Sequence, residues 1–286
     1  KRMLATLKEV LEKAEQGNYA VGAFNCTSLE SGMAIVETAE ELNSPVILQY
    51  ADSHRHLISI DVIGPIMLQL AKIAKVPVVV HLDHGASIES CRHAVDMGFT
   101  SVMYDASAKP FEDNVAETRS VVEYAHERGA SVEAELGHIL TSKAGAAEGN
   151  GKSYTREEAY TDPEMAKEFI ERTNVDALAI GFGTAHGIYT EKPVLDLNRI
   201  ALIKSAKDIP YVMHGGSGLS EEEYRTAIHN GIRKINYYTY LSLAGGRGVM
   251  QYLEDKKDKD AIYFEDIAKA GITAMKADVK RAMKIF

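Results

Sequence analysis

The chain has 286 residues, 26% charged and 45% hydrophobic, with a formal net charge of −9. This is ordinary globular composition, long enough to bury a large core without staples and suited to an α/β barrel of about 250 residues. The acidic balance argues against a nucleic-acid- or membrane-binding face, and no run approaches the roughly 18 apolar residues of a membrane span.

The opening segment KRMLATLKEVLEKAEQG carries acids throughout and reads as an amphipathic helix rather than a signal peptide. Cys26 and Cys91 stand outside any CxxC or metal-type spacing and read as buried free thiols in a reducing compartment. The expectation is a cytoplasmic protein. Short apolar or β-branched runs then recur at 19–25, 46–50, 76–81, 100–104, 131–136, 177–182, 211–214 and 233–236. Between them, segments such as 29–42, 87–97, 111–128 and 162–173 repeat apolar residues at three- and four-residue intervals, which predicts amphipathic helices.

Strands alternating with helices imply βαβ units and a parallel sheet. Eight units predict closure into a (β/α)8 TIM barrel, with residues 1–286 forming one domain. The alternative is a doubly wound open sheet, which usually shows a Gly-rich phosphate loop after its first strand. Here the first strand leads instead into Asn25-Cys26-Thr27-Ser28. The Gly-, Ala- and Ser-rich segment 137–154 predicts a mobile lid or a disordered loop. The stretch from Tyr240 to Phe286 exceeds one closing helix and predicts additional C-terminal helices.

In a barrel, catalytic groups sit at the C-terminal ends of the strands. Strands three, six and seven end in His84-Gly85, His186-Gly187 and His214-Gly215. Taken singly, each histidine reads as a hydrogen-bonded rim residue. Three at corresponding ends point to a divalent metal, and imidazoles suit zinc while leaving an open position for substrate. The Gly215-Gly216-Ser217-Gly218 run and the turn after strand eight are where barrels often bind phosphate through backbone N–H groups. His54 and His56 follow strand two, as pocket-lining or plain loop residues. Schiff-base catalysis on the same barrel would need a buried strand-end lysine. Strand six has none, and Lys234 stands beside Arg233, which suggests that at least one of the two faces outward.

The segments VGAFN, HLDHG, SVMYDAS, VEAELG, GTAHG, HGGSG and KIN-x-x-T, in this order, resemble the class II fructose-bisphosphate aldolase family, which includes tagatose-bisphosphate and related ketose-phosphate aldolases. The resemblance implies an aldehyde-lyase of carbohydrate metabolism, of the glycolytic type. It cleaves a ketose 1,6-bisphosphate, fructose or tagatose type, to dihydroxyacetone phosphate and an aldehyde through a zinc-stabilised enediolate. It implies zinc on His84, His186 and His214, with Asp105 and Glu135 as alternative or neighbouring ligands. Asp83 handles the proton on the C4 oxygen. Gly187, Gly215, Ser217, Asn236 and Thr239 hold the ketose end and its C1 phosphate, and Gly187 and Ser217 frame a monovalent-cation site for Na+ or K+. Asn25 and Arg281 serve the other end of the substrate. A homodimer or homotetramer is implied, with Arg281 reaching a neighbouring subunit's site.

Glu148, the one carboxylate between Gly137 and Tyr154, is the nominated lid base that takes the C3 proton, against a reading as a solvated loop acid. The chain departs from the family at Tyr238, where a small acidic residue or alanine is usual, and at Ala51-Asp52-Ser53-His54-Arg55-His56. The loop after strand five also lacks the family's acidic pair. If Tyr238 faces inward it crowds the C1 phosphate, while His54 becomes a candidate for the far end of the substrate. The alternatives are therefore a class II aldolase acting on a different sugar phosphate or acid phosphate, or a non-catalytic metal- or sugar-phosphate-binding protein.

Overall fold

The computed structural model describes residues 3–141, 155–189, 191–257 and 261–286. Eight strands carry the fold: β1 Val21–Asn25, β2 Val46–Ala51, β3 Val78–Gly85, β4 Ser101–Tyr104, β5 Ser131–Leu136, β6 Ala177–Ile180, β7 Tyr211–Met213 and β8 Ile232–Tyr237. Each pairs in parallel with the next, and β8 pairs with β1, Lys234 lying opposite Val21. The sheet therefore closes, which is the barrel the alternation predicted and not the open sheet.

The period of two along each strand divides the barrel into halves. Inward residues of the lower half are apolar: Val21, Ala23, Ile47, Val79, Met103, Ala177, Ala179 and Val212 cluster together. They pack with Leu7, Val10, Leu11 and Ala14 of helix α1 (Leu7–Gly17), which covers the N-terminal mouth. Outward residues such as Phe24, Leu48, Val80 and Val132 join the larger core beneath the surrounding helices. Continuing the same inward register upward gives Asn25, Gln49, His81, Asp83, Glu133, Glu135, His214, Lys234 and Asn236, all buried. One pattern thus seals the bottom and concentrates polar groups at the top.

Helices α2 (Leu29–Leu42), α3 (Ile60–Ile73), α4 (Ile88–Met97), α5 (Phe111–Glu127), α6 (Pro163–Thr173), α7 (Leu197–Ala206) and α8 (Glu221–Asn230) lie between the strands. Ser28, Ser87 and Ser220 cap α2, α4 and α8 by accepting the N–H of the third helical residue. The C-terminal stretch forms two further helices, as expected: α9 (Thr239–Asp255) and α10 (Phe264–Met283), which pack on each other, with α10 also against α2. Lys276 of α10 lies 2.8 Å from Glu37 and 2.9 Å from Glu41 of α2. Cys26 and Cys91 are buried and free. Among the described residues no helix is long and apolar enough to cross a membrane.

Candidate metal centre and substrate cavity

Strand β3 runs through His81-Leu82-Asp83-His84-Gly85 instead of stopping at His81. Its pairing with β4 slips between Leu82 and Gly85, and His84 takes a φ of +46°. That conformation is uncommon for a residue bearing a Cβ. It breaks the alternation, so that Asp83 and His84, neighbours in sequence, both serve the barrel mouth. Gly85 follows because a Cβ there would come within 2.6 Å of the Met103 carbonyl.

His186 sits on a two-residue strand, Ala185–His186, paired with Leu140–Thr141. The Tyr189 hydroxyl ties this strand to the β7 loop, accepting the Ala185 N–H at 2.8 Å and donating to the Gly215 carbonyl at 2.9 Å. Gly215 has φ +63°, and a Cβ on it would lie 2.5 Å from the Ala185 oxygen. The glycines after His84 and His214 are thus packing requirements of the rim that presents the rings.

The three histidines come together. Ring centroids are 4.6 Å apart for His84 and His214, 5.1 Å for His84 and His186, and 5.9 Å for His186 and His214. Their ligand nitrogens all lie within 4.8 Å of one another, and His84, Asp105 and Glu135 form a second such group. His214 Nε2 lies 2.8 Å from Glu133 Oε1, and His84 Nδ1 lies 3.1 Å from Asp105 Oδ2. A carboxylate only accepts, so each ring donates backward and presents its other nitrogen forward. Those forward nitrogens, His84 Nε2 and His214 Nδ1, stand 2.9 Å apart.

The electrostatics call for a cation at this point. Burial opposes a charged His84, yet Asp83, Asp105 and Glu135 around it raise its pKa to about 10. Burial and the Asp105 charge push Glu135 well above the ordinary carboxylate value. Burial also opposes the Asp83 carboxylate, but the charges of His84, His214 and Lys234 outweigh it and hold Asp83 far below the usual range. Glu135 Oε2 is buried with no hydrogen-bond partner among the described residues. Borderline nitrogen donors, surrounding carboxylates and an orphaned oxygen all fit a divalent metal.

Asn25, Asp83, His186, Gly187, Gly215, Ser217, Asn236, Tyr238 and Thr239 line one cavity together. Asp83 is held there by three amides. Asn236 Nδ2 donates to Oδ1 at 3.0 Å, while Asn25 Nδ2 and Gln49 Nε2 donate to Oδ2 at 3.3 and 3.2 Å. The Tyr238 N–H donates to Ser217 Oγ at 3.3 Å, joining the two loops expected to bind an anion, and α9 starts at Thr239. His54 is buried, its ring 4.6 Å from that of Tyr238. Its turn is anchored by Asp52, which accepts the Ala86 N–H at 3.0 Å and pairs with Arg55 at 2.9 Å.

Arg281 is turned elsewhere, donating to the Tyr237 hydroxyl at 2.8 Å and to Asp278 at 2.7 Å. Glu148 lies outside the described residues. Sequence reading passed over Gln49, Glu133 and Tyr189. For the first two the signal was present as a polar residue in the inward register of an apolar strand. Of the Arg233–Lys234 pair, Arg233 faces out to Glu15 at 3.1 Å, and Lys234 faces in, fully buried, 2.8 Å from Glu133. Lys234 is therefore already committed to an ion pair.

A closed barrel with a rim of convergent histidines and a buried carboxylate has the parts that a lyase of the class II aldolase type uses, and comparison with known proteins agrees. The family described as fructose-bisphosphate aldolase class-II matches residues 5–286. The chain is 41% identical over 286 residues to a fructose-bisphosphate aldolase of Geobacillus stearothermophilus, covering 99% of this chain and 96% of that protein. It is 40% identical over 261 residues to one of Staphylococcus aureus, covering 89% and 88%. The crystal structure of the YdjI aldolase of Escherichia coli K12 superposes with a TM-score of 0.86 at 34% identity, over 99% of this chain and 97% of that one. The chain belongs to the class II fructose-bisphosphate aldolase family and is an aldehyde-lyase.

Proposed function

We propose that this enzyme uses zinc, held by His84, His186 and His214, to cleave reversibly a ketose 1,6-bisphosphate of the fructose or tagatose type to dihydroxyacetone phosphate and an aldehyde. The observation that carries the reading is the convergence of three imidazoles and the amide-held carboxylate of Asp83 on one rim and cavity. When bound, the metal supplies Lewis acidity to the ketone and hydroxyl oxygens of the substrate. Asp83 accepts the proton of the C4 hydroxyl as the C3–C4 bond breaks and C4 becomes the aldehyde carbon. Asn236, Asn25 and Gln49 aim its two oxygens. Asp105 and Glu135 offer carboxylate oxygens beside His84 as alternative ligands.

Gly187, Gly215, Ser217 and Thr239 receive the C1 phosphate through backbone N–H and hydroxyl groups, with a monovalent cation near Gly187 and Ser217. Glu148 takes the C3 proton in the condensation direction, and Arg281 serves a neighbouring subunit's substrate in a homodimer or homotetramer. The buried free cysteines support a cytoplasmic setting.

A second reading, an aldolase for a different sugar phosphate, is favoured by the His54–Tyr238 ring pair beside Asn25 and Asp83. Condensing dihydroxyacetone phosphate with a panel of aldehydes separates the two. Preference for glyceraldehyde 3-phosphate supports the first, and preference for an unphosphorylated or longer aldehyde supports the second. Condensation with no aldehyde at all, by zinc-loaded enzyme, would sink both.

A further inference from the structure

Beneath the metal ligands lies an ion pair that the proposed reaction leaves unused. Lys234 of β8 and Glu133 of β5 are fully buried, with Nζ 2.8 Å from Oε2. Apolar residues of similar volume often fill such a place at no loss of stability. The pair is distinguished by what each partner does next. Glu133 directs its other oxygen, Oε1, to His214 Nε2 at 2.8 Å. Lys234 also donates to Asn236 Oδ1 at 2.7 Å, and the Nδ2 of the same amide donates to Asp83 Oδ1 at 3.0 Å. An ammonium only donates, so its contact fixes which end of the Asn236 amide is oxygen and leaves the nitrogen for Asp83. His81 also approaches Glu133, Nε2 lying 3.5 Å from Oε2, but its Nδ1 is engaged with Ser101 Oγ at 2.8 Å. Asn236 Nδ2 also lies 3.4 Å from His214 Nδ1, and Lys234 holds both that amide and Glu133.

We infer that Lys234 is a positioning residue that fixes, from one buried ammonium, both the ring of the metal ligand His214 and the carboxylate of Asp83. The inference rests on the aldolase reading above. It makes the two arms separable. Loss of Glu133 disturbs the metal arm, whereas loss of Lys234 disturbs both.

The test compares wild type with Lys234→Met, Glu133→Gln and the neutral double variant. The readouts are zinc affinity by chelator competition, melting of the metal-free protein, and ketose-bisphosphate cleavage at saturating zinc. Lys234→Met is expected to lose zinc affinity by about 10- to 100-fold and, once saturated, to lose kcat by at least about tenfold with KM near wild type. Glu133→Gln is expected to lose affinity but keep kcat within a few-fold at saturation. A variant that merely loosens the fold lowers the melting temperature without that split. If Lys234→Met does not fold, the double variant, which leaves no unpaired charge, is compared with Glu133→Gln at saturating zinc, and a kcat lower by at least about tenfold is the expected result. A folded Lys234→Met with wild-type zinc affinity or wild-type kcat, or a double variant with the kcat of Glu133→Gln, overturns the inference. If wild type itself neither binds zinc nor cleaves any ketose phosphate, the aldolase reading falls and takes the inference with it.

Discussion

His84 Nε2 and His214 Nδ1 face each other at 2.9 Å, each ring anchored from behind by a carboxylate, Asp105 and Glu133 respectively. With both rings donating backward, the space between them holds two lone pairs unless a proton or a metal ion lies there. Zinc binding to the folded chain is therefore expected to stabilise it by about 2.7 kcal/mol at a hundredfold excess over Kd, raising the melting temperature by roughly 5 °C. Chelation should reverse the shift and abolish cleavage, and zinc should restore both. Full activity in a metal-free sample would remove the metal from the mechanism.

The same pair sets a pH dependence. The His84 pKa is raised to about 10 in the folded metal-free protein, against about 6.5 unfolded. Its stabilising contribution to the metal-free fold is complete below about pH 6.5 and is lost as pH rises through 10. Zinc has to displace that proton, so apparent zinc affinity should climb about tenfold per pH unit between pH 7 and 9. Competition titrations at three pH values check this, and an affinity flat across the range would mean that no such proton is displaced.

Asp83 is a different case, since it touches the cavity without belonging to the histidine set. Asp83→Ala should retain zinc and the fold while losing about 10²-fold or more in turnover. Metal content and kcat measured on one preparation decide it. A variant that turns over at the wild-type rate would deny Asp83 the proton, and one that loses its zinc would make it a ligand's support instead.

The barrel was legible because its signal is periodic: apolar runs and three-to-four-residue helical spacing survive in any single sequence. The histidine ends were legible because glycine marks places where backbones approach closely, as Gly85 and Gly215 do. The extension of β3 through His84 was not, because a positive φ at a residue with a Cβ leaves no compositional trace. Gln49 and Glu133 were readable in principle, as polar residues in an inward register. A single sequence does not say which polar residues of a strand face inward, so neither stood out from its neighbours. Lys234 could not be assigned a side from Arg233 alone, since that required knowing that Glu15 of α1 waits on the outer face. The role of Arg281 is implied only by the family resemblance, in a C-terminal helix that carries no motif of its own. Within its own chain that helix instead aims the guanidinium at Tyr237 and Asp278.

Gly215 offers a test of the rim itself, independent of any assigned chemistry. Its φ of +63° strains any residue with a Cβ, and that atom would meet the Ala185 carbonyl oxygen at 2.5 Å, its carbon at 2.6 Å and its nitrogen at 2.9 Å. These are backbone atoms of the strand that carries His186, so they yield only if the strand moves. Gly215→Ala should therefore cost about 2 kcal/mol or more in stability, read by denaturant unfolding. It should also weaken zinc binding by at least about tenfold, because the His186 and His214 loops are pushed apart. Tyr189→Phe releases the hydroxyl bridge between the same two loops without adding bulk, and is expected to cost only about 1 kcal/mol with a smaller loss of affinity. If Gly215→Ala were as stable as wild type and bound zinc as tightly, the contact between these loops would not be what holds the histidines in register.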